Sequence, residues 1–586
     1  MRKQHTLFFT FLWVILAACS TLTACSTPPA RGKRASTDWS RALPLTEGVP
    51  AGGMDAIWHQ NAIDIVWPEQ VDDRLQVRFT RLMPATQTVT SHILDLGAGA
   101  SRYVRLLPHP VSGYILLWAS RLPGTPSWEL QAALLDEAGD AQGQPVALVM
   151  PEADVTRFDA AVLPSGEVFV LWHQNKPAGV YTARWQPGTS LPLQAAPLAE
   201  NGVLPTLYLA PDDRILLTWQ EGDRIRFGVS DLESTPRLAS VAVARLPQGT
   251  GMTVSPAVSV LSGDRVYIFW SVLNHSGLEA GSGYIEYVSF PLTAPGGEHV
   301  SQRVYISPAE SPAYQPADLW PGITLLAPPA SPARSSDFIL EPAVAAGPDG
   351  VLALALTARQ AYRLDAYVQV AAAFLQDGAL RGYAWVSRSE QLVQEPHVLL
   401  DPQGYLHLLW REGAFGQRVF YATNEPQIRT ALDTLTAADW IDALLEGSLE
   451  SLTGILFLPI VGFGWLLPGL VVVGVWKLIR DDENIADWPS LIVLLLALGV
   501  YQAVKWISMP PMAAYVPFSA WLDIPAVWQM PLRVVVPLAA LGLGAVAAWR
   551  TARRRNRSAV LFYLVTGLVD ALITLAVYGV IFLGVY

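Results

Sequence analysis

The chain has 586 residues, of which 51% are hydrophobic and only 15% charged, with a formal net charge of −11. That acidic balance, with no basic stripe outside the C-terminal region, excludes a nucleic-acid partner. Both cysteines lie within the first 25 residues, which excludes a disulfide framework in the rest, and a mean hydropathy of +0.30 argues against a wholly soluble protein.

The N-terminus reads "MRKQHTLFFTFLWVILAACSTLTACS". Arg2 and Lys3 precede an apolar core, Leu7 to Ala18, too short to span a bilayer comfortably. The stretch ends in Leu16-Ala17-Ala18-Cys19 and again in Leu22-Thr23-Ala24-Cys25, each of which resembles a bacterial lipobox. Residues 1–25 are therefore expected to be a lipoprotein-type signal peptide, with lipid on Cys19 or Cys25 and residues 26–37 as a linker. A simple signal peptide or an uncleaved anchor are the alternatives, and each puts the downstream chain on the exported side.

From residue 50 to about 425 one phrase recurs. It is clearest in "DPQGYLHLLWREG", a turn, an apolar strand and Trp410. Copies end at Trp67, Trp118, Trp172, Trp219 and Trp270, and a copy without tryptophan puts Leu356 there. Neighbouring anchors lie 47 to 54 residues apart, except for one gap of 86. A short strand precedes each turn, and a third follows, as in "LQVRFTRL", "RIRFGVS" and "RVFYAT". The central strand is apolar on both faces, which suits a sheet covered on both sides, and four strands per period define a propeller blade. Residues 38–425 are expected to form seven blades. The seventh unit supplies three strands, so "DWSRALPL" at residues 38–45 is expected to pair with it and close the ring. The long gap holds a proline-rich insertion, residues 307–337, that could cap a face, bind a partner or run free.

Residues 428–452 carry helical spacing in Leu432, Leu435, Trp440, Leu444 and Leu449, so 426–453 is expected to be a connecting helix. Four apolar segments come after it, about 455–476, 489–507, 531–549 and 559–585, and 454–586 is read as a four-helix transmembrane domain. Arg550, Arg553, Arg554, Arg555 and Arg557 sit between the third and fourth segments, and the positive-inside rule places that loop in the cytoplasm. Counting back puts the propeller outside, in agreement with the signal peptide. Asp570 falls near the middle of the fourth span, with Thr566 and Thr574 on the same face and Lys505 and Arg533 as cations within its reach. A carboxylate there belongs inside the bundle, as a packing contact or as a proton- or ion-coupled group.

The phrase "DPQGYLHLLWRE…RVFYAT" resembles the repeats of sialidase-like (BNR-type) propellers over residues 50–425, although their Asp-box, Ser-x-Asp-x-Gly-x-Thr-Trp, is absent. The resemblance implies the fold, and it makes a carbohydrate-active hydrolase the alternative to a binding role. Residues just after each anchor are expected in the loop between second and third strands, gathered on one face: Glu69, Arg121, His173, Glu221, Asn274, Arg359, Arg411 and Glu412 among them. Arg121, Arg359 and Arg411 could converge on an anion, because a guanidinium fork suits carboxylate and phosphate, and sialidase-like enzymes hold a carboxylate with three arginines. A solvated polar rim explains the same residues equally simply. HExxH, CxxC, P-loop and GxSxG patterns are absent, no catalytic residue is identified, and no cofactor or metal is implied. The reading is an extracytoplasmic propeller anchored in a bacterial cytoplasmic membrane, binding or scaffolding at the cell surface. The lipid bilayer is one partner, and a glycan or cell-surface protein the other.

Overall fold

The computed structural model describes residues 36–579, apart from Thr37 and short internal stretches of which 231–239 is the longest. Cys19, Cys25 and the segment around them lie outside the described residues. Two compact units divide the chain, one of sheets and one of helices.

Seven antiparallel sheets follow one another in sequence. The first comprises Asp55–His59, Ala62–Val71, Arg74–Met83 and Thr88–Ile93, paired in that order. The second comprises Ala100–Pro108, Tyr114–Arg121, Glu129–Leu135 and Ala141–Val149. The third and fourth repeat this order from Val155–Val162 and Gly202–Leu209. The fifth is built on Arg265–Asn274, which pairs with both Met252–Val254 and Val258–Ser262. These are the blades of a seven-bladed propeller. Each second strand is sandwiched between neighbouring sheets, so Tyr114 through Ser120 are buried without interruption.

Packing is divided by seam. Seven apolar clusters lie one at each junction between successive blades, the seventh joining the last blade to the first. Trp67, Trp118, Trp172, Trp219, Trp270 and Trp410 sit in these seams at 2% exposure or less. Burying so large a side chain at six of the seven seams, with Leu356 at the remaining one, gives the sequence its period.

The ring closes through the N-terminal segment. Leu43 and Pro44 pair with Tyr421 and Phe420, and the Ser40 and Leu45 amides donate to the Thr423 and Val419 carbonyls at 2.8 and 2.9 Å. Trp39, fully buried, packs with Trp410 and Phe420. The insertion is partly ordered into the sixth blade. Leu325–Leu326 pairs onto the outer strand Ala379–Trp385, with Leu326 opposite Tyr383, and Ala313–Tyr314 pairs outside that. Trp320 lies 5.3 Å from the Phe374 ring. An apolar residue in a proline-rich stretch has found the seam, so this part of the insertion is a sheet extension rather than a free excursion.

After the seventh blade the expected single connecting helix is two. Helix α1, Pro426–Leu432, belongs with the propeller, and its C-cap Asp433 accepts a hydrogen bond from the Arg41 amide at 3.1 Å. Helix α2, Ala437–Leu456, belongs to the helical unit. There it joins α3 (Phe463–Ile479), α4 (Trp488–Ser508), α5 (Ala526–Arg553) and α6 (Ala559–Tyr578). Four stretches, Leu458–Ile479, Trp488–Ser508, Val527–Arg553 and Ala559–Tyr578, are long and apolar enough to cross a membrane. Small residues bring the helices together: a Cβ on Gly544 would lie 2.5 Å from the Thr566 carbonyl oxygen, and one on Gly469 2.6 Å from that of Ala497.

Candidate functional site

The innermost strands surround the propeller axis, and several share one distortion. In the seventh blade Glu395 and Pro396 together face Trp410, since Gln394 pairs with Arg411 and His397 with Leu409. The sixth and fourth blades repeat it with Glu341-Pro342 facing Leu356 and Leu204-Pro205 facing Trp219. A proline has no amide proton for the ladder, so each strand bulges at that point. The residue before it takes a left-handed conformation, with φ of 50° at Glu395, 58° at Glu341 and 52° at Leu204. The second blade bulges at the same level without proline, and Tyr103 has φ 46°. Strain held at equivalent positions on one level of the axis re-aims side chains there.

Charged side chains at this level form two groups. On the first three blades Arg105 bridges two aspartates, Nη1 to Asp55 and Nε to Asp159, each at 3.0 Å. Asp55 also accepts the Leu106 amide at 2.8 Å, and Asp159 the Leu207 amide at 2.9 Å. Each carboxylate thereby ties its own inner strand to that of the next blade, and together Asp159 and Asp55 raise the Arg105 guanidinium above its ordinary value. On the last two blades Arg411 pairs with Glu395, and the Glu395 amide donates to Glu341 at 2.8 Å. Burial pushes the Glu395 carboxyl up to about 7, against the pull of Arg411 and with the help of Glu341. Burial raises Glu341 as well, and it lowers His397.

The second and third blades also carry a patch of arginine and aromatic residues. Arg102 stands 3.9 Å from the Trp128 ring and 5.2 Å from that of Tyr103, Arg121 stands 4.9 Å from Trp128, and Arg157 stands 5.6 Å from Tyr103. None of the three arginines forms an ion pair among the described residues. Arg157 is half-buried, and that burial lowers its guanidinium from the ordinary value. Elsewhere on the propeller Arg78, Arg81, Arg105, Arg226, Arg303, Arg359 and Arg411 each meet a carboxylate.

The rim residues read from sequence lie differently from expectation. Each second strand runs past its anchor, so Arg121, His173, Glu221, Arg359, Arg411 and Glu412 occupy strand positions rather than a loop. The ladder uses only backbone groups, and polar side chains near a strand end do not stop it. His173 bonds Thr156, Glu221 meets Arg226 at 2.7 Å, and Arg359 meets Asp337 at 2.9 Å. Glu412 accepts the Trp410 indole N–H at 3.2 Å and a hydrogen bond from Ser389, which makes it a brace for the seam. Arg121, Arg359 and Arg411 thus occupy three separate settings. Arg121 belongs to the arginine–aromatic patch and Arg411 to the Glu341–Glu395 group. The missed residues carried a signal in the repeated Leu-Pro and Glu-Pro dipeptides of the inner strands. Asp401, His407 and Glu425 could offer a metal three ligand atoms within 4.8 Å of one another. Both nitrogens of the buried His407 already have partners, however, in Tyr421 at 2.7 Å and Asp401 at 3.3 Å.

In the helical unit Asp570 is fully buried and accepts from Lys505 Nζ at 2.7 Å and from the Tyr501 hydroxyl at 2.5 Å. No ion pair between Arg533 and Asp570 is found among the described residues.

The chain is thus a seven-bladed propeller followed by four helices of membrane-spanning length. No family model matches the sequence, and no curated protein does. Among solved structures it is similar to the polysaccharide lyase Uly1 at 10% identity and TM-score 0.41, covering 65% of this chain and 98% of that one. It is also similar to a protein of unknown function from Dyadobacter fermentans, at 12% identity and TM-score 0.36, covering 68% and 99%. A Trypanosoma rangeli sialidase in complex with the inhibitor DANA matches at 9% identity and TM-score 0.34, covering 71% and 62%.

Proposed function

We propose that the protein is a membrane-anchored, extracytoplasmic binding module whose propeller takes an anionic ligand at the axial level of its bulged inner strands. The observation that carries this reading is Arg157, a half-buried guanidinium beside the Tyr103 ring with no carboxylate paired to it among the described residues. Asp159 and Glu395 reach Arg157 only through space and are themselves paired with Arg105 and Arg411. Its guanidinium hydrogen-bonding fork is therefore free of any carboxylate at ion-pair distance among the described residues and suits an incoming anion. Arg102 and Arg121 add positive charge on the same two blades, and the exposed Tyr103 offers a ring face. Glycans bearing carboxylate, sulfate or phosphate, and acidic segments of cell-surface proteins, have the matching chemistry. The arginine-rich loop and the signal-like N-terminus favour an extracytoplasmic propeller on a bacterial cytoplasmic membrane, with lipid on Cys19 or Cys25 as a second anchor.

The test is an array of neutral and anionic glycans probed with the full chain in detergent. Binding should concentrate on anionic members, and Arg157→Ala should weaken it by on the order of 1.5–3 kcal/mol, typical of hydrogen bonds to charged groups. Binding confined to neutral glycans, or untouched by Arg157→Ala, would refute the reading. A hydrolase is the second reading, favoured by the neighbouring carboxyls Glu341 and Glu395, one of them held near neutrality. Hydrolysis of any glycan that is lost in Glu395→Gln would establish it. No turnover by the wild-type chain on glycans it binds would remove it.

A further inference from the structure

The buried charges of the helical unit form a second centre, separate from the propeller. On α6, Tyr563, Thr566, Asp570, Thr574 and Tyr578 succeed one another at intervals of three or four residues, so they share one face. All five are buried, and the stripe runs for about 22 Å at a rise of about 1.5 Å per residue, most of the depth of a hydrocarbon core of about 30 Å. At its middle the Asp570 carboxylate meets α4, where its Oδ2 accepts both Lys505 Nζ and the Tyr501 hydroxyl. Lys505 donates further to Thr574 at 2.7 Å, and Tyr501 also reaches the Gly567 carbonyl at 3.2 Å. Tyr563 donates to the Leu466 carbonyl of α3 at 2.7 Å. Helices α5 and α2 meet this face through glycines, Gly544 against the Thr566 backbone and Gly454 against Leu575, and bring no charge to it at those points.

Three polar atoms on the stripe lack a partner among the described residues: Thr566 Oγ1, Asp570 Oδ1 and Tyr578 Oη. An ion pair made only to fasten two helices has no use for them. In apolar surroundings an unsatisfied oxygen is costly, and water or a proton is the smallest species that can satisfy a carboxylate oxygen.

We propose that Asp570 and Lys505 form a proton-transfer centre, reached by water along the α6 stripe. A hydronium ion arriving past Thr566 gives its proton to Asp570 Oδ1, forming an O–H bond and leaving water. The bundle then carries one excess positive charge, which Lys505 relieves by releasing a proton from Nζ to water near the Ser508 end of α4. The pair is now a neutral acid and a neutral amine. A half-turn of the carboxyl group carries its proton to Nζ and restores the starting ion pair, so one proton has moved for each cycle. Thr566 is a positioning residue in this scheme, since its hydroxyl holds the water that delivers the proton.

The test reconstitutes the full chain in liposomes loaded with a pH-sensitive dye and imposes a potassium diffusion potential with valinomycin. The wild-type chain should move protons several-fold faster than protein-free liposomes, and Asp570→Asn and Lys505→Met should each return the rate to that background. Thr566→Val removes only an unpartnered hydroxyl and should slow the flux while leaving the chain monodisperse, which keeps the proposal exposed if the charge variants fail to assemble. Wild-type flux equal to background, or full flux in Asp570→Asn or Thr566→Val, would overturn it.

Discussion

Each unit buries one aspartate completely, and gives it a cation and a tyrosine. In the propeller, Asp64 receives Arg81 Nε at 2.7 Å on one oxygen and the Tyr114 hydroxyl at 2.6 Å on the other, with Arg81 Nη2 reaching that second oxygen at 3.4 Å. In the helical unit, Asp570 receives Lys505 and Tyr501, both on Oδ2, and Oδ1 is left alone among the described residues. The difference lies in the tyrosine and in the cation: Tyr114 serves the oxygen that Arg81 Nε does not, whereas Tyr501 shares Oδ2 with Lys505. A guanidinium is a planar fork that spans both carboxylate oxygens, whereas an ammonium is a point charge that commits to one. The propeller's version closes a structural junction between its first two blades. The helical unit's version leaves an acceptor open where one could be used.

Breaking Asp570 outright should have the largest effect. Asp570→Leu strands Lys505 as a buried charge and should cost about 3–5 kcal/mol, enough to prevent a monodisperse preparation in detergent. Asp64→Leu should destabilise the propeller too, but by less, because the Arg81 side chain it strands is 26% exposed and water reaches it. Closure of the ring comes next. Trp39 is fully buried, so Trp39→Ala should cost about 3–5 kcal/mol, read as a lower melting temperature of the β-sheet signal. An unchanged melting temperature would mean that the N-terminal strand does not hold the ring.

Exchanging the cations sharpens the comparison at intermediate size. Arg81→Lys should lose about 1–3 kcal/mol, because a single ammonium cannot replace the guanidinium's further hydrogen bonds to the second Asp64 oxygen and to the Tyr114 hydroxyl. Lys505→Arg should assemble well yet move no protons, since the fork would occupy Oδ1.

A smaller effect concerns pH. The Glu395 carboxyl has an ordinary value of 4.5 and is pushed up to about 7 by burial. Between those values the folded chain holds a proton that the unfolded chain has lost, so stability should fall as pH rises through the window. Glu395→Gln should flatten that fall in melting temperature against pH. Smallest of all, Glu221→Ala breaks a partly exposed pair with Arg226 and should change stability by less than about 1 kcal/mol.

These residues differ in how plainly the sequence announced them. The seams were legible because packing demands one large apolar side chain at the same point of each blade, which imposes a period on Trp67 through Trp410. The closing strand was legible because three strands leave an edge that must pair. The axial residues were hidden because their position depends on bulges that displace a single residue. The stretch "QEPHVLL" reads as a plain strand, and only the ladder shows that Pro396 turns Glu395 out of it. Arg359 misled for the same reason, since equivalent positions after the anchor do not point to one place once each blade supplies its own partner. Asp570 was legible as a buried group, with Lys505 and Arg533 as its candidate cations, because few polar residues occur in those spans. The open oxygen was not, because it depends on which atom Lys505 and Tyr501 reach.

Whether the axial patch is a binding site or a solvated rim is decided by comparing Arg157→Ala with Arg359→Ala. Both variants are made in the full chain and measured for affinity toward whichever anionic glycan the wild type binds. A binding site at the patch requires at least a tenfold loss for Arg157→Ala, equivalent to about 1.4 kcal/mol, and wild-type affinity for Arg359→Ala, whose partner is Asp337. Equal losses in both variants, or a loss in Arg359→Ala alone, would contradict it.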